Sequence, residues 1–588
     1  MKSFCGKFAK KHEIIILAVL LVLITLTSIR WTGEKSGLYV DEGMTLYLSN
    51  GNYNGAVTTD PEYTLVDFLE EFVWKGNIKA TVRNIIDMLK SLQQGGNYSI
   101  EGNVSWYDEA RKLLQGDYAW VSGEELFEQI AVTSGTGFQY GQVLVNQAMD
   151  VHPPLYYLLV HTIFSLFPGT CTKWYLFSVN MIFLLATLIL MFFVTDRYFH
   201  DKWMAFLSVA FLGFSQGFLS CAVYFRMYAM FTFFVMAAFA VQLRLMDTDF
   251  EMKGKSRRLL AATTVLGFYT HYYFILFMGG IVFLNLFFFI RKKQFSVLVQ
   301  YLKIMIFSGL LSLLVWPFSL YHIFFGYRGR EAVTKLAAHG FIKNAGEYLS
   351  VLARAFCGGN KWILVLEILV LGCLVIAAFL KGQERDGYEE SGRRWMFALI
   401  PSLFYSLFMV QITPVCEDRY LMCIFPFIAM SFAWGLTALM RSLRGKKWRW
   451  PAGILLSLFL VTQNSRVEPN YLYLAQKEKP LTGQGRNCIM LLADDGYGYQ
   501  DVMELVEYPH VLVMTYREVG SLAQLTPKEP ERGFIIYIHD GLGTEKLLQY
   551  ACDALGQSVG GEKEIGTVEE VGCKFEYMRA FVVDVEEV

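Results

Sequence analysis

Apolar residues in this chain come in long, nearly continuous runs separated by short polar links. The first run, Ile14 to Ile29, follows Lys2, Lys7, Lys10 and Lys11. Others cover Trp174–Val194, Trp203–Ser220, Tyr228–Leu245, Leu259–Tyr269, Phe274–Ile290, Ile304–Phe325, Trp362–Leu380, Trp395–Ile412, Leu421–Met440 and Ala452–Val461. A helix needs about 20 mainly apolar residues to cross a bilayer, so these runs predict about eleven spans. A further apolar segment, His152 to Phe167, ends at Pro168-Gly169 and is short for a crossing. It reads as lying on the outer leaflet or dipping into it.

Two stretches break the pattern. Residues 31–150 hold no run long enough to span. Leu65 to Leu92 places Phe68, Phe72, Ile85, Ile86 and Leu89 at helical spacing, which suits interfacial helices or a folded loop. Gly95-Gly96-Asn97 and Ser134-Gly135-Thr136-Gly137 punctuate this loop, while Trp74, Trp106, Tyr107 and Trp120 argue against a disordered linker. From about 463 to 588 charges return. The short apolar runs Asn487–Leu492, Val511–Thr515, Phe534–His539 and Phe581–Val585 alternate there with helix-like segments, predicting a small α/β domain. The expected organisation is a tail and first span (1–30), a long external loop (31–172), a multi-span domain (173–462) and an external domain (463–588).

Composition agrees with a polytopic, mainly α membrane protein. Of 588 residues, 54% are hydrophobic and only 18% charged, against about 25% charged in soluble domains. A net charge of −1 leaves no case for nucleic acid. Ten cysteines without a CxxC pair argue against structural zinc or a dense disulfide framework, and Cys488, Cys552 and Cys573 lie in the tail, where spacing leaves their pairing open. The N-terminus has the basic start and apolar core of a secretory leader, but Thr27-Ser28-Ile29-Arg30-Trp31 offers no small-residue cleavage site, so it reads as a retained anchor.

The links divide into two alternating sets. One is basic: Arg197 and Lys202; Lys253, Lys255, Arg257 and Arg258; Arg291, Lys292 and Lys293; Arg393 and Arg394; Arg441, Arg444, Lys446 and Lys447. The other carries Tyr224-Phe225-Arg226-Met227-Tyr228, Thr270-His271-Tyr272-Tyr273 and Glu417-Asp418-Arg419-Tyr420. The positive-inside rule puts the first set and the N-terminus in the cytoplasm, and the second set and the C-terminus outside. One link fits poorly: Arg328, Arg330 and Lys335 fall on the outer side by parity.

Candidate chemistry collects on that outer side. Asp41 and Glu42 follow the first span, and adjacent carboxylates there need solvent, a partner or a task. Asp41 is placed to take a proton from a hydroxyl. Arg226 and Arg419 bring positive charge, His152 and His271 imidazoles, and Tyr156, Tyr228, Tyr272 and Tyr420 phenols. The combination suits attack on a carbon that bears an anionic leaving group, with arginines stabilising the departing phosphate. Each residue has an ordinary explanation too. Acidic pairs beside membranes are mostly solvated, arginines snorkel, tyrosines form belts, and His-Pro-Pro caps helices. Their joint placement on one side is harder to explain that way.

Asp41-Glu42, His152-Pro153-Pro154-Leu155-Tyr156-Tyr157 and Arg226-Met227-Tyr228-Ala229 together resemble the GT-C glycosyltransferases. The chain is most similar to bacterial relatives of the protein O-mannosyltransferases and to the lipid A aminoarabinose transferase. Thr270-His271-Tyr272 and Arg419-Tyr420-Leu421 with Pro426 extend the match over about residues 12–440. The resemblance implies inverting transfer of a hexosyl or pentosyl group from a polyprenyl-phosphate donor to an envelope acceptor at the outer face. It implies Asp41 as general base with Glu42 beside it, and donor binding by His152, Tyr156, Arg226, Tyr228, His271, Tyr272, Arg419 and Tyr420.

Several of these families carry a second acid in the next external loop, where this chain has Ser215, Gln216 and Tyr224-Phe225-Arg226. That departure favours a metal-independent monophosphate donor and no cofactor, with Asp108 and Asp150 of the long loop as the acids that would restore a divalent metal. The rivals are an oligosaccharide ligase or polymerase with a diphosphate-linked donor, a lipid or solute transporter, and a non-catalytic scaffold. A transporter more often breaks its helices at the membrane midplane. A scaffold has no need of Asp41.

Overall fold

The computed structural model describes residues 11–51, 74–83, 118–324, 327–336, 340–365, 369, 386–442, 453, 457, 464–473, 480–493, 501–561, 563–575 and 577–588. Most of Leu65–Leu92, Gly95-Gly96-Asn97, Trp106, Tyr107 and Asp108, and most of the spans expected over Trp362–Leu380 and Ala452–Val461, lie outside these residues. The chain forms two compact units. One comprises Met1–Gly33, Val151–Tyr156 and Phe177–Glu468; the other comprises Glu34–Asp150, Tyr157–Leu176 and Pro469–Val588.

In chain order the helices are α1 (Lys11–Glu34), α2 (Val40–Asn50), α3 (Gly123–Ile130), α4 (Tyr140–Met149), α5 (Leu155–Leu166) and α6 (Lys173–Phe199). Next come α7 (Lys202–Gly213), α8 (Gln216–Val223), α9 (Tyr228–Asp247), α10 (Gly254–Phe268), α11 (Phe274–Arg291) and α12 (Phe295–Val315). The last are α13 (Phe318–Phe324), α14 (Tyr327–Leu336), α15 (Phe341–Cys357), α16 (Asp386–Ile412), α17 (Phe425–Ser442) and α18 (Thr544–Val559). The strands are β1 (Val121–Ser122), β2 (Asn487–Leu492), β3 (His510–Thr515), β4 (Phe534–His539), β5 (Lys563–Val571) and β6 (Met578–Glu587).

The first unit is a helical bundle. Among the described residues seven helices are long and apolar enough to cross a membrane, and α7 with α8, bent by 54°, makes an eighth if the pair is one span. The expected run Leu259–Tyr269 belongs to α10, which has 15 residues. The expected run Ile304–Phe325 is displaced: α12 covers Phe295–Val315, because Pro317 cannot continue a helix and biases Trp316 away from it. Helices α9 and α17 are largely buried in the bundle, whereas α1 and α12 expose apolar side chains such as Val22, Leu26, Ile306 and Leu310, as lipid-facing helices do. Where α11 crosses α16, Gly280 lets the backbones meet: a Cβ there would lie 2.7 Å from Cα of Pro401. Gln242 of α9 and Asn285 of α11 exchange amide hydrogen bonds at 2.8 and 2.9 Å, which satisfies two polar groups that lipid cannot.

Ion pairs mark one end of this bundle. Lys202 pairs with Glu13, Arg197 with Asp247 at 2.8 Å, and Arg441 with Asp201 at 2.6 Å; Arg394 donates to the Tyr198 carbonyl. The cations of these contacts come from the links of the basic set. The motif links gather at the other ends of the same helices. The poorly fitting link joins them there: Lys335 Nζ donates to the carbonyls of Thr413 and Pro414 at 3.0 and 2.7 Å. A lysine that caps backbone carbonyls in this way carries little weight as a cytoplasmic signal.

The second unit contains a six-stranded sheet in the order β1-β3-β2-β4-β6-β5. Strands β3, β2 and β4 run parallel, and β6 and β5 add antiparallel. Apart from Asn487 at the start of β2 and His539 at the end of β4, these two central strands are apolar, and they are buried along nearly their whole length, as parallel strands covered on both faces require. Ile489, Leu491, Leu512, Phe534, Ile536 and Phe581 form the core with Leu547, Ala551 and Leu555 of α18. Strand β1 comes from the long loop after the first span and pairs antiparallel with β3 through Val121 and Val511. Tyr118 and Trp120 pack on the same core, and the Trp120 indole donates to the Leu525 carbonyl at 3.2 Å. Residues 118–122 of the loop thus fold together with the tail, a union not foreseen from the pattern of runs. Ser122 then caps α3: its hydroxyl accepts from Glu125 N–H at 3.1 Å, and the Glu125 carboxylate accepts from Ser122 N–H at 2.6 Å. Cys488 and Cys552 carry free thiols.

Candidate functional site

The bend after α7 shapes the first motif link. Ser215 caps α8, its hydroxyl accepting from Phe218 N–H at 3.1 Å, and α8 ends at Val223. The next residues, Tyr224 to Met227, are buried, so Arg226 sits in a tight connection with only 5% exposure. Asn180 of α6 fixes that connection, its amide donating to the carbonyls of Cys221 and Tyr224 at 3.1 and 2.8 Å. Tyr156 donates in turn to the Asn180 oxygen at 3.2 Å and is fully buried. The Pro153-Pro154 pair before α5 holds the backbone extended, and Leu155 N–H reaches the Tyr269 carbonyl at 3.3 Å. His152 is thereby delivered beside Arg226, with Nη2 of the arginine 3.5 Å from its Nε2.

The other two links close the cluster. The His271 ring lies 6.2 Å from that of His152, 5.6 Å from Tyr228 and 5.1 Å from Phe231. Arg419 Nη1 donates to the Tyr224 hydroxyl at 2.7 Å, and its guanidinium lies 5.2 Å from the Tyr420 ring centre. Tyr420 meets Tyr228 edge-on at 6.5 Å and Tyr273 at 6.4 Å. Glu417 takes up part of the Arg419 charge, Nε to Oε2 being 2.7 Å. Two guanidinium groups, two imidazoles and four phenols are therefore contiguous within this unit.

His271 has a defined tautomer. Its Nδ1 accepts from Tyr273 N–H at 3.2 Å, so in the neutral ring the proton is on Nε2. Burial first, then the neighbouring His152 and Arg226, holds its pKa well below the ordinary imidazole value. Nε2 meets no hydrogen-bond partner among the described residues. A buried N–H close to the Arg226 charge is suited to an oxygen of an anion.

Tyr272 points elsewhere. Its hydroxyl accepts from the Trp316 indole at 3.1 Å and bonds His322 Nδ1 at 2.8 Å, so in the turn after His271 the side chain that faces Tyr420 is Tyr273. Sequence reasoning left out Tyr273, Asn180 and His322; a tyrosine pair and an asparagine inside an apolar run gave no signal of their partners.

Asp41 and Glu42 open α2 in the second unit. Asp41 is partly exposed, whereas Glu42 is fully buried. Glu42 Oε2 accepts from Tyr39 N–H at 2.6 Å and stands 2.8 Å from Nζ of Lys35, whose side chain is likewise fully buried. Both carboxylates sit in the first helical turn, where the N–H groups favour negative charge. Asp150 is buried at the end of α4.

By fold this is a multi-pass helical membrane protein with an added α/β unit. Among solved structures it is similar to ArnT from Cupriavidus metallidurans bound to undecaprenyl phosphate, at 11% identity over 98% of each chain with a TM-score of 0.45. It is also similar to the apo state of that protein, at 11% identity over 73% of this chain and 87% of that one, with a TM-score of 0.42. No family model and no curated protein sequence matches the chain.

Proposed function

We propose that this protein is a membrane glycosyltransferase that moves a sugar from a polyprenyl-phosphate donor to an acceptor at the outer face of the membrane. The observation that carries this reading is the Arg226–Arg419–His271 cluster, in which two cations and a buried neutral N–H that meets no partner among the described residues gather in the bundle. An acceptor hydroxyl oxygen attacks the anomeric carbon, and the bond from that carbon to the phosphate oxygen breaks with inversion. The hydroxyl proton passes to Asp41, and the phosphate leaves with the extra negative charge. Arg226 and Arg419 stabilise that charge, His271 donates to one of its oxygens, and Tyr228 and Tyr420 pack beside them. No divalent metal is needed for a monophosphate donor held in this way. The motif links face outward, and the N-terminus is cytoplasmic.

The test is transfer in reconstituted membranes from a panel of radiolabelled polyprenyl-phosphate sugars, comparing the wild type with Asp41→Asn. Label leaving the lipid with the wild type alone is the expected result. Equal transfer by both proteins would remove Asp41 as the base. Transfer from diphosphate-linked donors only would favour a ligase.

A further inference from the structure

We propose that Lys35 and Glu42 are positioning residues: a buried ion pair that, with the backbone of Tyr471 to Tyr473, clamps the segment leading into α2 and so sets the orientation of Asp41. The proposal rests on the reading of Asp41 as the base and divides the acidic pair into two roles.

Lys35 Nζ meets Glu42 Oε2 at 2.8 Å with neither side chain exposed, and Lys35 also donates to the Tyr471 carbonyl. One residue on, Ser36 N–H donates to the Leu472 carbonyl at 2.9 Å and its hydroxyl to that of Tyr473. Gly37 lies against the Tyr473 ring so closely that a Cβ would fall 2.3 Å from Cδ1. Tyr39 sets its ring edge-on to Tyr471 at 6.0 Å. From the other side, Lys173 Nζ donates to the Lys35 carbonyl at 2.5 Å. Residues 35–39 are thus gripped along their length.

Glu42 completes the grip by accepting from Tyr39 N–H. A carboxylate so engaged, with no exposed surface, is not available to an acceptor hydroxyl. Successive helical residues point about 100° apart, so fixing Glu42 inward turns Asp41 toward the surface of the unit. The sequence left Glu42 without a role beside Asp41; its burial gives it one.

The energetic logic fixes the test. Removing one partner of a buried ion pair strands a charge, whereas replacing both with neutral groups of similar size is often tolerated. Lys35→Met and Glu42→Gln, made singly in the full chain in reconstituted membranes, should each lower kcat by about 100-fold while leaving the donor KM unchanged. The double variant should recover most of that loss. Hydrogen exchange over residues 35–46 should rise in each single variant and return toward the wild-type level in the double. If a single variant fails to fold, Gly37→Ala perturbs the clamp without touching its charges and should show the same kcat loss.

A double variant no more active than the worse single would overturn the proposal and make Glu42 a reacting group. Full activity in Glu42→Gln would overturn it too. Should the wild type use no lipid-linked sugar, the transferase reading fails by itself. The exchange measurement then still decides the clamp, and unchanged protection in Lys35→Met would refute it.

Discussion

The Arg419 guanidinium donates to the Tyr224 hydroxyl at 2.7 Å across 195 residues of sequence. With its oxygen engaged by a cation, the phenol is a better donor to any anion placed beyond it. Tyr224→Phe removes that relay and leaves the ring packing intact. It should reduce kcat/KM for the lipid-linked donor by about tenfold, the kinetic equivalent of one charge-assisted hydrogen bond. Unchanged steady-state kinetics would take Tyr224 out of the site.

Asn180 holds two carbonyls of the Arg226 connection. Asn180→Ala strands buried acceptors, at a cost of about 1–3 kcal/mol in stability, and loosens Arg226 as well. Thermal unfolding in detergent should shift downward, and donor KM should rise. A stability loss with normal donor KM would confine Asn180 to folding.

His271 should contribute no limb to the pH–rate profile around the ordinary imidazole value, because burial first, then His152 and Arg226, holds its pKa well below that value. The Tyr228 and Tyr273 rings also lie against it, and burial pushes the Tyr273 hydroxyl well above the ordinary phenol value. His271→Gln places an amide N–H near the position of Nε2 and should retain more activity than His271→Ala. Equal activity in the two variants would show that the N–H is not used.

How much of this was legible in the sequence depends on what each residue's neighbours had to be. The apolar runs placed α9 and α11 to within two residues, since composition and length alone define a spanning helix. Strand β2 began and ended where its run did. Strand β5, KEIGTVEEV, carries charges along an edge and has no apolar run to announce it. The motif links were found by alternation of charge, and the structure brings His152, Arg226, Tyr228, His271, Arg419 and Tyr420 together. A lone lysine after a span carries no pattern of its own in the sequence; only the fold shows Lys35 buried against Glu42.

Glu504 offers a pH test of the α/β unit. Burial is the larger influence on its carboxyl, and although Lys574 at 3.8 Å pulls the other way, the pKa is pushed up from 4.5 to about 7. A group with a raised folded-state pKa binds more protons folded than unfolded between those values. Its contribution is full below pH 4.5 and is lost as the pH climbs to 7, a change of about 3 kcal/mol at about 1.4 kcal/mol per pH unit. Hydrogen exchange in β2 to β4 of the full chain should therefore accelerate across that window. Glu504→Gln should flatten the dependence, and an unchanged slope in that variant would clear Glu504 of it.

Val121 pairs with Val511, so after making β1 a ribosome must add the bundle helices that follow α1 before that strand has a partner. At about 5–20 residues per second, the wait is on the order of tens of seconds. During it Trp120 has neither Phe534 nor Leu525 to cover it, and the nascent loop carries an open strand edge. Pairing of β1 with β3 therefore reports that synthesis has run through the bundle to the tail. A chain stopped early keeps that edge and that tryptophan uncovered, a feature by which proteases and chaperones can tell it from the finished molecule.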